Sequence, residues 1–291
     1  MKAKRQILAS KIALKRSENN EKQLTLELAH YFQSIGEKVE RLLHEYGNTE
    51  ILLQGQLSII LSPIKDSHEE YYRIIAKHIL REYQLGTDEG DRLVNLHNPS
   101  LTTAVMNEIR RNNLFGTLQY SEERLLNKTF EASQQTLARV DDSINEIITE
   151  GYKSGKGIDS VSRDINTRFD QLTGWESRRI ARTEIHNAHN EGIMKSYETL
   201  GVEYTQWISV DDGRTRGTNP NDTADHLSLN GEIIPFGGTY SNGLAYPGDT
   251  SGPIEEWINC RCSNAPFVMP VGMMAPPGMT SFREEDLIPI S

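Results

Sequence analysis

The chain has 291 residues, 36% of them hydrophobic and 25% charged, with a formal net charge of -10 and a mean hydropathy of -0.55. This length allows one large or two modest domains, each with its own core, while the acidic balance argues against bulk wrapping of nucleic acid and leaves room only for a local basic patch. Two cysteines separated by one residue exclude a disulfide framework and suggest a reducing setting, with the pair free or on a metal. No apolar run reaches the roughly 18 residues of a membrane span, and Met1-Lys2-Ala3-Lys4-Arg5 is too charged a start for a secretory signal. A soluble, intracellular chain is the expectation, until it is assembled into something larger.

From Met1 to about Glu45, Leu24, Leu28, Phe32, Ile35, Val39 and Leu42-Leu43 recur at helical spacing without proline, predicting one or two long amphipathic helices. Lys2, Lys4, Arg5, Lys11, Lys15 and Arg16 at its start fit DNA, a membrane surface or an acidic partner, and equally a solvated helix face. Gly47-Asn48 interrupts the pattern. Ile51 to Leu61 reads as a buried helix ending at Ser62-Pro63, and Ile64 to Tyr83 as the next helix, closed by Gly86. A short helix over Asp91 to His97, then helices over Ser100 to Arg111 and Ser121 to Gly151 follow, the last with Leu125, Leu126, Phe130, Leu137, Val140, Ile144, Ile147 and Ile148 facing inward.

The three glycines between Gly151 and Gly157 place a domain boundary there. Ile158 to Phe169 predicts a short helix, and Thr173-Gly174-Trp175-Glu176 has capping-box spacing for another, ended by Gly201. Arg178, Arg179 and Arg182 on that helix suit phosphates or an acidic partner. Alternatively, Arg182 and Glu184 tie the helix to the loops around Asp211 and Cys260. Tyr204 to Val210, Ile233 to Phe236 and Glu256 to Ile258 read as short strands between glycine-rich loops. The fold class is therefore mainly α in the N-terminal region plus an α+β C-terminal domain, with a small, loop-rich sheet packed on a helix. Beyond Cys262, prolines and methionines predict a tail that is disordered or laid along a partner.

Cys260 and Cys262 fall on one face if their segment is extended, and two adjacent thiolates favour zinc. The other ligands would come from His226 and from Asp211, Asp212 or Asp225, giving a structural site that holds a loop-rich domain in shape. The competing reading is a pair of small buried hydrophobes. No His-Glu-x-x-His, Gly-x-Ser-x-Gly, Walker or dinucleotide-binding motif occurs, so no catalytic residue is assigned.

Ala181-Arg182-Thr183-Glu184, Trp207 before Asp211 and Arg214, the segment His226 to Gly231, Pro247-Gly248 and Asn259-Cys260-Arg261-Cys262 occur in one order. This ordered set, covering roughly the last half of the chain, resembles the C-terminal domain of the Mu protein F-like minor head proteins of tailed phages, the phage head morphogenesis family. One departure is Gly217 to Ala224, which reads as a loop inserted before the histidine. The resemblance implies a helical arm or docking region over residues 1–150, a head morphogenesis domain over 151–270 and a tail over 271–291. It implies a protein made in the host bacterial cytoplasm and incorporated in the virion, several copies sitting around the portal. There it would bind the portal protein or inner head components and assist head assembly and DNA packaging or delivery. Arg178 and Arg179 would be contacts for packaged DNA or a partner; Arg182, Glu184, Arg214, Asn259 and Arg261 would be structural motif residues. The alternative is a metal-dependent hydrolase or nuclease domain fused to a helical arm.

Overall fold

The computed structural model describes residues 2–49, 52–97, 105, 106, 108 and 120–290, with the backbone alone before Ser17. The helix expected over Ser100 to Arg111 lies almost wholly outside them. The helices are α1 (Lys2–Tyr46), α2 (Gln54–Lys65), α3 (His68–His97), α4 (Glu122–Lys153), α5 (Ile158–Gln171), α6 (Ser177–Leu200) and a single turn, α7 (Ile254–Trp257). Strands β1 (Tyr204–Ile208), β2 (Ile233–Pro235) and β3 (Ser263–Phe267) form an antiparallel sheet in the order β2-β1-β3; β4 (Met273–Met274) pairs with β5 (Ile288–Pro289). The architecture is long helices followed by a small-sheet C-terminal region, as the apolar patterning predicts. No helix among the described residues is long and apolar enough to cross a membrane.

Two compact units interleave along the chain. One comprises residues 21–78 and 125–181; the other comprises 1–20, 79–124 and 182–291. Each therefore draws on both sides of residue 150, and the divisions fall inside α1, α3, α4 and α6.

The first unit is an apolar helical core. Leu24, Leu28, Phe32, Ile35, Val39 and Leu43 of α1 are buried with Ile60, Leu61 and Ile64 of α2, Val140, Ile144 and Ile148 of α4, and Val161, Ile165 and Phe169 of α5. Tyr31, Phe32 and Tyr71 pack with ring centroids 5.1 to 5.7 Å apart. Polar ties join its helices as well: Glu40 accepts from Ser162 Oγ at 2.6 Å and Asn166 Nδ2 at 3.1 Å.

Several expectations are corrected here. Helix α2 runs through Pro63, the Ile59 carbonyl that a proline nitrogen cannot bond accepting from Ser62 Oγ at 2.9 Å instead. Phe130 faces outward, 38% exposed, where it meets His68 and Tyr72 edge to face. No capping box starts α6. Thr173 Oγ1 donates to the Asp170 carbonyl, and Glu176 is paired with Arg168. The chain passes from α5 to α6 through a π-helical turn over Leu172–Glu176, kinked at Gly174, since a wider turn absorbs a bend without ending the helix.

In the second unit Gly86 does not end α3, which continues to His97. A Cβ at Gly86 would overlap the His189 carbonyl, and one at Gly192 the Tyr83 carbonyl. The two glycines are packing residues that bring the α3 and α6 backbones together. From Ile185 to Met194, α6 is buried on every side, as a central helix must be. It ends at Gly201, whose φ of +66° suits glycine, while the Val202 amide donates to the Tyr197 carbonyl at 3.0 Å. The expected strand at Glu256 to Ile258 is instead α7, started by Pro253 with the Ile258 amide bonded to Ile254 O.

The C-terminal tail folds back on its own unit. Phe282 exchanges two backbone hydrogen bonds with Ile233, 2.7 and 3.0 Å, and is buried. Arg283 donates to the Asn230 carbonyl at 2.7 Å and to that of Ser228. These anchors lay it along its own unit, where composition predicts a tail disordered or laid along a partner.

Candidate metal centre

Three side chains of the second unit converge where the loop carrying His226 meets the entry to β3. His226, Cys260 and Cys262 each offer a ligand atom, all within 4.8 Å of one another. His226 Nδ1 lies 3.6 Å from both sulfurs. All three residues are sealed from solvent, at 1%, 2% and 3% exposure.

Local structure places each donor. His226 is held from behind: its carbonyl accepts from Ser209 Oγ, and the Leu227 amide donates to Arg216 O at 3.0 Å. The Gly217 to Ala224 insert closes on itself, with Asp222 Oδ2 accepting from the amides of Gly217 and Asn219 at 2.9 and 3.1 Å, so it leaves the histidine within reach of the cysteines. The imidazole is oriented by Glu256, whose Oε2 accepts from Nε2 at 3.0 Å and from Asn242 Nδ2 at 2.9 Å. With its proton on Nε2, the ring turns the Nδ1 lone pair to the sulfurs, the carboxylate–imidazole arrangement common behind metal-bound histidines. Trp207 closes one side, edge to face with His226 at 5.3 Å and with Tyr240 at 5.1 Å. Leu229, Ile234, Tyr240 and Leu244 complete an apolar shell around Trp207 and the two cysteines.

The Cys-x-Cys segment is fixed by α6. The Asn259 amide donates to Thr183 Oγ1 at 3.0 Å, and Arg182 to Asn259 Oδ1 at 3.2 Å. The Cys262 carbonyl accepts from His186 Nε2 at 2.6 Å and Asn190 Nδ2 at 3.1 Å. Thr183, His186 and Asn190 stand three and four residues apart, on one helix face. Arg261, pointing the other way, grips Asp212 with two bonds of 2.8 and 2.6 Å. That fork, together with the backbone and side chain of Arg214, holds the Asp212 carboxyl well below the usual carboxylate range.

Electrostatics favour a thiolate. The bond from Cys260 and the Val210 amide hold the Cys262 thiol well below its ordinary range. Cys260 is pushed up by that neighbouring thiolate and by burial, while its sulfur receives the Cys262 amide at 3.4 Å. Two sulfurs and an imidazole, with amides directed at the sulfurs and a carboxylate behind the ring, could hold a metal ion and are compatible with zinc, supplying three of its usual four donors.

Among the other residues singled out in the sequence, Asp211 departs from expectation. It is exposed, with φ at +53°, and does not belong to the converging donors: the left-handed turn that delivers Asp212 to Arg261 carries its neighbour outward. Asp225 caps the Ser228 amide at 3.0 Å, and Arg214 is an exposed partner of Asp212 at 3.4 Å. Glu184 is half-buried, and burial pushes its carboxyl up to about 7. Arg178 and Arg179 belong to the first unit, where the Arg179 guanidinium lies 4.6 Å over the Trp175 ring.

Sequence reasoning missed Glu256, read as part of a strand, and the supporting roles of His186 and Asn190. It also missed a buried network in the same unit, in which Glu82 accepts from Ser17, from Asn20 Nδ2 at 2.9 Å and from His189 Nδ1 at 2.9 Å. The available signal was the run of polar residues His186-Asn187-Ala188-His189-Asn190-Glu191 between the apolar Ile185 and Ile193-Met194.

Comparison with known proteins gives no match for this chain among protein-family models, curated proteins or solved structures.

Proposed function

We propose that this chain is a minor head protein of a tailed phage, whose C-terminal region is held in shape by a structural zinc ion bound to His226, Cys260 and Cys262. The observation that carries the reading is the convergence of three buried donors. The likeness to Mu protein F-like minor head proteins rests on Trp207, the His226 segment and Asn259-Cys260-Arg261-Cys262, and these same residues build one buried centre. Arg182 bonds Asn259 and Thr183 receives its amide, so the motif on α6 and the cysteine motif support each other.

In this role the ion would cross-link the loop after β1 to the entry of β3, adding to folding free energy in a region whose strands have five residues or fewer. The helical arm would dock on the portal protein or inner head components, where the chain assists head assembly and DNA packaging or delivery. A hydrolase or nuclease would need an open coordination position within reach of substrate; the sealing of all three donors favours the structural use.

The test is quantitative mass spectrometry of purified, DNA-filled heads, normalised to the portal subunit. A reproducible signal at or below portal stoichiometry is the expected outcome, and absence of the chain from complete particles would overturn the assignment to the head.

A further inference from the structure

Two exposed surfaces of the chain have complementary chemistry and no ion-pair partners among the described residues. The first is on the π-helical turn, where Trp175 is 52% exposed with Arg179 stacked on its ring and Arg178 exposed beside it. Neither arginine forms an ion pair there. An exposed indole backed by guanidinium groups combines the two side-chain types that most often dominate binding energy.

The second is the tail. Glu284 and Glu285 are exposed and unpaired, whereas Asp286 is used to cap the Arg283 amide at 2.8 Å. Immediately after them Ile288 and Ile290 stand out in solvent. The tail is anchored at Phe282 and Arg283, so this acidic-apolar element is presented already ordered, which lowers the cost of docking it. Strands β4 and β5 make only a two-residue pair, too little to account for the exposed apolar side chains by their own packing.

We propose that the chain associates head to tail: the Trp175, Arg178 and Arg179 surface of one copy receives the tail of a second copy, with Glu284 and Glu285 facing the arginines and Ile288 or Ile290 covering the indole. Charge complementarity selects the occupant. Copies carrying a net charge of -10 repel one another over most of their surface, so association requires a local cationic site facing a local anionic one. A contact between different surfaces is heterologous, and repetition closes it into a ring or extends it into a filament. The proposal is independent of metal binding.

Sedimentation analysis of the full chain across a concentration series tests it. Wild-type protein should form species larger than a dimer. Arg178→Ala with Arg179→Ala, and separately Glu284→Ala with Glu285→Ala, should each remain monomeric. Mixed one to one, the two variants should form a single heterodimer and nothing larger, because each retains one intact surface. Circular dichroism identical to wild type would show that both variants fold. A wild-type chain that stays monomeric throughout, a variant that still self-associates, or a mixture without heterodimer overturns the proposal. So would an association that survives Trp175→Ala unweakened, since the indole supplies the apolar contact.

Discussion

The helical core of residues 21–78 and 125–181 and the loop-rich segment from Tyr204 to Phe267 solve the same problem by different means. The helical core has apolar residues at every third or fourth position over several turns, so Leu24 through Leu43 on α1 and Leu137 through Ile148 on α4 are buried by repetition. The loop-rich segment has one three-stranded sheet and a small apolar shell around Trp207. Its order comes from individual ties: Arg261 on Asp212, Asn230 on the Ser209 amide at 3.0 Å, Glu232 on Ser241 at 2.8 Å, and the His226, Cys260 and Cys262 cluster. A region with too little apolar area to exclude alternatives has to specify its shape by polar geometry or by a metal. Losing one member of a repeated stripe weakens such a core; losing one member of a three-donor cluster would leave too few donors to hold a metal ion.

The contrast is broken most directly at the cysteines. Cys262→Ser should abolish metal binding and strip amide-exchange protection from residues 204–267, while α4 keeps its protection. A structural zinc ion is worth on the order of 10 kcal/mol in small domains, so most of the segment's stability is at stake. Next in size, Ile144→Ala should cost the helical core about 2–5 kcal/mol in urea denaturation and leave metal content untouched. Glu256→Gln should keep the fold and weaken metal affinity roughly 10- to 100-fold in competition with a chelator, as losses of a carboxylate behind a ligating imidazole do.

The smallest effect is a pH dependence. Glu184 is pushed by burial from the usual 4.5 up to about 7, so the folded state holds a proton that the unfolded state has released. Stability from this group is therefore present below pH 4.5 and is lost as pH rises towards 7. Glu184→Gln should flatten the wild-type decline between those values in thermal melts; an unchanged slope would place that decline elsewhere.

Legibility in the sequence follows the same division. Periodicity located the inward faces of α1, α4 and α5 because burial repeats with the helix turn, and Phe130 was misplaced because an aromatic side chain can satisfy itself against surface rings such as His68 and Tyr72. Gly86 read as a stop signal because a sequence does not distinguish a helix end from a close helix crossing. In the site, Cys260 and Cys262 were legible from residue type and spacing, and His226 from its place in the motif order. Glu256 was not, because its role depends on a four-residue helix between two loops that turns the carboxylate toward Nε2. Asp211 was named as a ligand and Asp212 takes the structural role, since a single positive φ decides which of two adjacent aspartates points inward.

The central claim is that a bound metal ion is part of this fold, and the most direct test is the metal content of the purified full-length chain, measured by elemental mass spectrometry beside thiol reactivity. One zinc ion per chain, with both thiols unreactive until a chelator or denaturant is added, is the predicted result. Protein that holds no zinc after incubation with it, and whose unfolding is the same with and without a chelator, would contradict the claim and leave Cys260 and Cys262 as buried packing residues.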